Sequence, residues 1–288
     1  MASEPDLSQT APAAIDPAAE REYNLRLRHP ERNAVYERCA AASAALRARE
    51  AGFRTLRYGD SANNVIDFFT AENAGPQAPL FLFIHGGYWR ALDRSIFSFL
   101  AAPWLERGVH VALPGYDLAP SASVRAIAEQ VERAARHLLD AAPTLGFDSA
   151  RVIVSGHSAG AQLGALLLGG IAGWSARGFV GVSGVYDLEP LLGASVNLDI
   201  RLDASEARSL SPRFRPGEPA VRYLCAVGGE ETDGFRRQTH DYAAALRAQG
   251  CRATSLEVPG RTHFDVLDDL ADPAGGLFTR AHAMLAPP

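Results

Sequence analysis

The order of segments along the chain predicts an α/β fold: a mostly parallel central sheet, helices on both faces and a small cap. Three observations carry this. Residues 79–85 (P-L-F-L-F-I-H) form an unbroken apolar run, as expected of a strand buried on both faces. Beyond them, strand-like and helix-like stretches alternate. The pentapeptide Gly156-His157-Ser158-Ala159-Gly160 lies between a short apolar run and an Ala/Leu-rich stretch, the strand–turn–helix context of a G-x-S-x-G elbow.

Residues 1 to about 17 are Ala, Pro, Ser and Asp with little apolar content, and are expected to be disordered. Residues 18–50 are helical in composition, with Tyr23, Leu25, Val35, Tyr36 and Leu46 as anchors. Strands are predicted over 53–58 and 65–70, separated by Gly59-Asp60-Ser61. A loop spans 71–78, the buried strand 79–85, a helix 94–106 and a strand 109–113. Val124, Ile127, Val131 and Leu138 give helical spacing over 124–141. The elbow strand 151–155 and its helix 161–170 follow, then a strand over 179–185. Residues 187–220 are irregular and Pro-containing, with short helical pieces, and would form the cap over the sheet's carboxyl edge. A strand at 221–227, a helix at 235–249 closed by Gly250, a strand at 253–258 and a largely helical 264–284 complete the pattern. One domain spanning 18–288 is expected.

The bulk properties exclude several function classes. The 288 residues are enough to bury about three quarters of the chain's surface in one core. A net charge of −5 without a long basic run argues against nucleic acid as a partner. All 28 basic residues are Arg, which removes Schiff-base and Walker lysine chemistry. Cys39, Cys225 and Cys251 are odd in number and far apart, neither a disulfide framework nor a zinc site, and Cys225 reads as core. No apolar run reaches the roughly 18 residues of a membrane span. No signal peptide is apparent, so the cytoplasm is expected, with a homodimer compatible with the chain. Neither metal nor organic cofactor is called for.

Gly156 and Gly160 remove side chains where the backbone must bend tightly, presenting Ser158 as a candidate nucleophile. A serine hydroxyl needs a general base, and the base an orienting acid. His263, after the last predicted strand, is the candidate base. Four carboxylates compete for the acid: Glu230, Glu231, Asp233 and Asp187, the last also suited to capping a helix. His85-Gly86-Gly87-Tyr88-Trp89, ending a buried strand, corresponds to a loop that donates one oxyanion-hole amide. The donors would be Gly86 or Gly87, with Ala159 after the nucleophile. His85 orders this loop, and His157 packs beside the serine. Tyr88 and Trp89 either line a leaving-group pocket or pack the loop.

With these residues in place, the chain resembles the kynurenine formamidase (arylformamidase) group of α/β-hydrolases. The match runs through residues 85–89, 156–161 and 183–190 (S-G-V-Y-D-L-E-P), then Asn197, Leu198 and Ser211-Pro212, then Val227-Gly228-Gly229, Phe235-Arg236-Arg237-Gln238 and His263-Phe264. The first two motifs occur in many esterases; 183–190 and 235–238 are more particular. The resemblance implies nucleophile Ser158, base His263 and an acid at Glu231, where animal members look to have Asp. Tyr186 joins Tyr88 and Trp89 as a candidate substrate-binding residue. The implied substrate is a small N-formyl aryl amine, with N-formylkynurenine giving kynurenine and formate, in tryptophan degradation. The rival readings are a general carboxylesterase acting on small acyl or aryl esters, which would use the same machinery, and a catalytically dead binding protein. The complete set of nucleophile, base, acid and glycines argues against the second.

Overall fold

The computed structural model describes residues 15–286. Eight strands form one sheet: β1 Phe53–Arg57, β2 Val65–Phe69, β3 Ala78–Ile84, β4 His110–Pro114, β5 Phe147–His157, β6 Gly178–Val182, β7 Arg222–Gly228 and β8 Arg252–Val258. Their spatial order is β1-β2-β4-β3-β5-β6-β7-β8. β1 and β2 pair antiparallel, as do β2 and β4; every other neighbour is parallel. The parallel part puts the carboxyl ends of β3 and β5 through β8 along one edge, where the loops carrying Gly86, Ser158, Ser183, Glu231 and His263 all emerge.

Alternation along β3 divides the core into two layers. Leu80, Leu82 and Ile84 face a layer with Ile127, Val131, Leu163 and Tyr242. Phe81 and Phe83 face the other, with Phe97, Trp104, Leu270 and Phe278. Both faces being covered is the reason 79–85 reads as a continuous apolar run. Cys225 is fully buried in β7, and burial pushes its thiol up to about 12.

Several elements differ from the sequence expectation. Residues 1–14 of the expected disordered tail lie outside the described residues, but its end does not: Asp16 caps a helix Pro17–Tyr23, accepting from the Ala18 amide. The helical stretch 18–50 is three helices, Pro17–Tyr23, Leu25–Arg28 and Arg32–Arg49. The second break falls at His29, which Pro30 biases away from helical backbone. The expected helix 94–106 is a 3₁₀ segment, Arg94–Ala101, followed by one α-turn, Ala102–Leu105, which restarts where Pro103 stands in the first turn. The 264–284 stretch divides into Leu267–Ala271 and Gly276–Ala283 across Pro273. β5 extends to His157, which carries the strand to the residue before Ser158.

Candidate active site

β5 turns into the helix Ala159–Leu167 through Ser158, whose φ of 56° and ψ of −121° are strained for a residue with a side chain. The flanking glycines are required by contact. A Cβ on Gly156 would lie 2.2 Å from the Gly160 carbonyl oxygen, and one on Gly160 would lie 2.1 Å from that of Ile84. The helix therefore passes directly over the strand ends, and the Ser158 amide is held by the Val182 carbonyl at 2.8 Å.

His263 and Glu231 meet beside it. His263 Nδ1 lies 2.7 Å from Glu231 Oε2, and neither side chain has appreciable contact with solvent. Because the carboxylate is an acceptor, Nδ1 carries the proton and Nε2 is left as the basic nitrogen. The other oxygen, Oε1, accepts from the Gly228 amide at 2.8 Å and from the Ser183 hydroxyl. The three competing carboxylates are placed elsewhere. Glu230 is exposed, and Asp233 is exposed at the start of the helix Asp233–Ala248. Asp187 accepts from the Glu189 amide at 3.0 Å and lies 3.6 Å from Arg213. Ser158 and His263 line one cavity of about 260 Å³. Among the described residues they are not hydrogen-bonded to each other, a contact that commonly tightens only when substrate is bound.

The 85–92 loop is built around its glycines. Gly87 has φ of +112°, and a Cβ there would lie 2.0 Å from the Ala91 carbonyl oxygen. Gly86 abuts Ser158: its Cβ would lie 2.7 Å from the His157 carbonyl oxygen and 3.1 Å from Ser158 Cβ. Neither the Gly87 amide nor that of Ala159 donates to an acceptor among the described residues. His85 orders the loop. Its ring is sandwiched between Tyr116, 4.1 Å away, and Phe97, and its Nδ1–H donates to the Gly86 carbonyl at 2.9 Å. Burial depresses the His85 pKa to about 4, only partly offset by that hydrogen bond, so the ring is neutral near pH 7. His157 does more than pack. Its Nε2–H donates to the His263 carbonyl at 2.9 Å, with ring centroids 4.6 Å apart. Burial, and then the neighbouring His263, hold His157 well below the usual imidazole range.

Of the three aromatic candidates, only Tyr88 lines the cavity; its hydroxyl donates to the Tyr23 carbonyl at 2.7 Å. Trp89 does not: it is fully buried, and its Nε1–H donates to Gln162 at 3.1 Å, tying the loop to the helix after Ser158. Tyr186 does not either. It is fully buried, stacks on Tyr242 at 4.1 Å, and fills the space left by Gly181 and Gly184. Large rings in this edge region are drawn into the core because burying them removes the most apolar surface from water.

Much of the wall comes from residues that motif reasoning missed. Tyr23, Leu25, Arg26, Arg32 and Tyr36 of the first three helices face the cavity, as does Phe264 beside His263. Tyr23, Leu25 and Tyr36 stand out in the sequence as apolar anchors; nothing in the sequence says that they anchor over the site. The 187–220 region contributes Ala194, Ser195 and Val196. Among the described residues no group of three or more His, Cys, Asp or Glu side chains is gathered as a metal ion would need. Nor is any helix among them long and apolar enough to cross a membrane.

Comparison with known proteins agrees with this architecture. Residues 66–175 match the BD-FAE family model. The chain is 29% identical over 228 residues to the kynurenine formamidase of Salmo salar, covering 75% of this chain and 76% of that one. It is 30% identical over 231 residues to that of Drosophila melanogaster, with the same coverage. Among solved structures, a putative thioesterase from Silicibacter sp. TM1040 superposes with a TM-score of 0.78 at 30% identity, over 87% of this chain and 92% of that one. The metagenomic carboxylesterase EstE1 shares the fold, with a TM-score of 0.73 at 18% identity, over 90% and 98% of the two chains. Sheet order, elbow and relatives converge: the chain belongs to the kynurenine formamidase-like family of α/β-hydrolases.

Proposed function

We propose that the protein is a serine hydrolase that cleaves N-formyl aryl amines, N-formylkynurenine being the named case, to the free amine and formate. The observation that carries this reading is the buried His263–Glu231 pair opening, with the strained Ser158, into a single cavity walled by Tyr23, Tyr36, Tyr88 and Phe264. A compact acyl group and a flat aromatic leaving group suit such walls.

In this reading Ser158 Oγ attacks the formyl carbon as its proton passes to His263 Nε2. The carbonyl electron pair moves onto oxygen, and the resulting oxyanion is met by the amides of Ala159 and Gly87 or Gly86. Glu231 keeps Nδ1 protonated and stabilises the imidazolium. Collapse of the tetrahedral species expels the aryl amine, which takes the proton from His263 Nε2. Water, deprotonated by the same nitrogen, attacks the formyl ester of Ser158, and the second tetrahedral species collapses to release formate as Ser158 Oγ takes that proton back from His263.

The test is a series of acyl groups on one aryl amine, with the matching aryl esters and a thioester alongside. A steep fall in kcat/KM from formyl through acetyl to butyryl is expected. A flat or rising series, or a preference for esters or thioesters, would replace this reading with that of a general carboxylesterase or thioesterase. Ser158→Ala should lose nearly all turnover and all labelling by a serine-directed phosphonate while keeping the fold.

A further inference from the structure

β6 ends at Val182, and the next residue, Ser183, has φ of +52°, a left-handed backbone that residues with a side chain rarely adopt. It is fully buried. Its amide donates to the Ala226 carbonyl on β7 at 2.7 Å, which fixes the backbone. Its hydroxyl then points to one acceptor, Glu231 Oε1. The Gly228 amide reaches the same oxygen from β7. Glu231 is therefore gripped by two donors at Oε1 and by His263 at Oε2, with no solvent exposure of its side chain. A lost donor would not be replaced by bulk water.

A glutamate has one more torsion than an aspartate, and its terminal torsion is broad. Left alone, the carboxylate could rotate its plane away from the imidazole. Two donors on one oxygen fix that plane and leave the second oxygen for Nδ1–H. We propose that Ser183 is a positioning residue: its hydroxyl, aimed by a left-handed backbone, holds Glu231 so that Oε2 faces His263, and thereby lets a glutamate serve at this place. The proposal rests on reading His263 as the base and Glu231 as its orienting acid.

The test compares Ser183→Ala with Ser183→Gly. Both remove the hydroxyl, but glycine accepts the left-handed backbone and relieves it. Ser183→Gly should therefore be at least as stable as Ser183→Ala by thermal unfolding. Both should lower kcat by about ten- to a hundredfold, the range for a hydrogen bond to a charged group, with KM changed less than twofold. The downfield proton resonance of His263 Nδ1–H should shift or broaden in both. In a Glu231→Gln background the Ser183 changes should have no further effect, because the group they position is already disabled. A Ser183→Gly variant with kcat within twofold of the parent overturns the proposal. So does an equal loss in the Glu231→Gln background. If His263→Ala and Glu231→Gln keep full turnover, the underlying reading fails instead; if they abolish it while Ser183→Gly does not, only the role of Ser183 fails.

Discussion

At Gly87 the backbone has no freedom to accept even a methyl group. Its φ of +112° is one obstacle, and the Ala91 carbonyl, 2.0 Å from where a Cβ would sit, is the other. Gly87→Ala must shift the loop and with it the Gly87 amide, one of the donors proposed for the oxyanion. Loss of one oxyanion donor costs roughly 10²–10³ in kcat. We expect that fall in steady-state kinetics with a much smaller change in KM, since the contact is made mainly in the transition state. Glu231→Gln should be still more damaging, approaching about 10⁴ in kcat if His263 takes the wrong tautomer. Glu231→Asp keeps the charge but is too short to hold Ser183, Gly228 and His263 together, so partial activity is expected. Among single residues, the sequence exposed those whose type is dictated by chemistry. Ser158, His263, Gly86 and Gly87 are recognisable because few residues can replace them. The roles of Ser183 and His157 depend on what lies across the sheet edge, which no local pattern encodes. The same holds for Trp89 and Tyr186, aromatic beside a motif and yet turned inward.

Elements were legible where periodicity and composition agreed. The eight strands are short apolar or alternating runs bounded by turn residues, and all eight appear in the structure near the expected places. The helix Val124–Asp140 keeps its buried stripe of Val124, Ile127, Val131 and Leu138. The helix Pro17–Tyr23 was legible as a helix but not as a strap. Glu20 accepts from the Ser195 amide and hydroxyl, both at 2.8 Å. The Glu22 carbonyl accepts from Thr232 Oγ1 at 2.9 Å, and its carboxylate accepts from the Gly234 amide. The strap thus joins the region around Ser195 to the turn just after Glu231. Glu22→Ala should lower stability by about 1–2 kcal/mol, the low end of what a hydrogen bond to a charged group contributes, reduced because the carboxylate is partly exposed to solvent. It should also raise KM for aryl substrates more than it lowers kcat, because Tyr23 would lose its place in the wall. Thermal unfolding and kinetics on one aryl formamide check both effects. Equal KM with unchanged hydrogen-exchange protection over residues 17–36 would show that the strap is not coupled to the site.

For the whole molecule, buried histidines link stability to pH. His85, His110, His157 and His282 all have their pKa values lowered by burial. A histidine that is neutral when folded and protonated when unfolded makes the unfolded state bind more protons, so stability falls as pH falls. For His85 the window runs from the ordinary 6.5 down to about 4. Its share is about 3 kcal/mol once pH has dropped through that window, at 1.36 kcal/mol per unit. Below about pH 4 the folded form protonates too and the dependence from this residue ends. His85→Gln should flatten the slope of unfolding free energy against pH between 6.5 and 4.5. An unchanged slope would place the proton uptake elsewhere.

The strap also orders events in time. Gly234 lies 212 residues after Glu22, its hydrogen-bond partner. At roughly 5–20 residues per second of synthesis, the strap waits on the order of 10–40 seconds for the turn it grips. Ser158 is made within that interval, before Glu231 and His263. A nascent chain stalled between Ser158 and His263 therefore carries a serine on a tight turn without the histidine proposed to activate it, and an unfinished wall around it. Such a chain would be silent toward esters and formamides, and hydrolytic competence would appear in one step, after the base has emerged and the strap has docked.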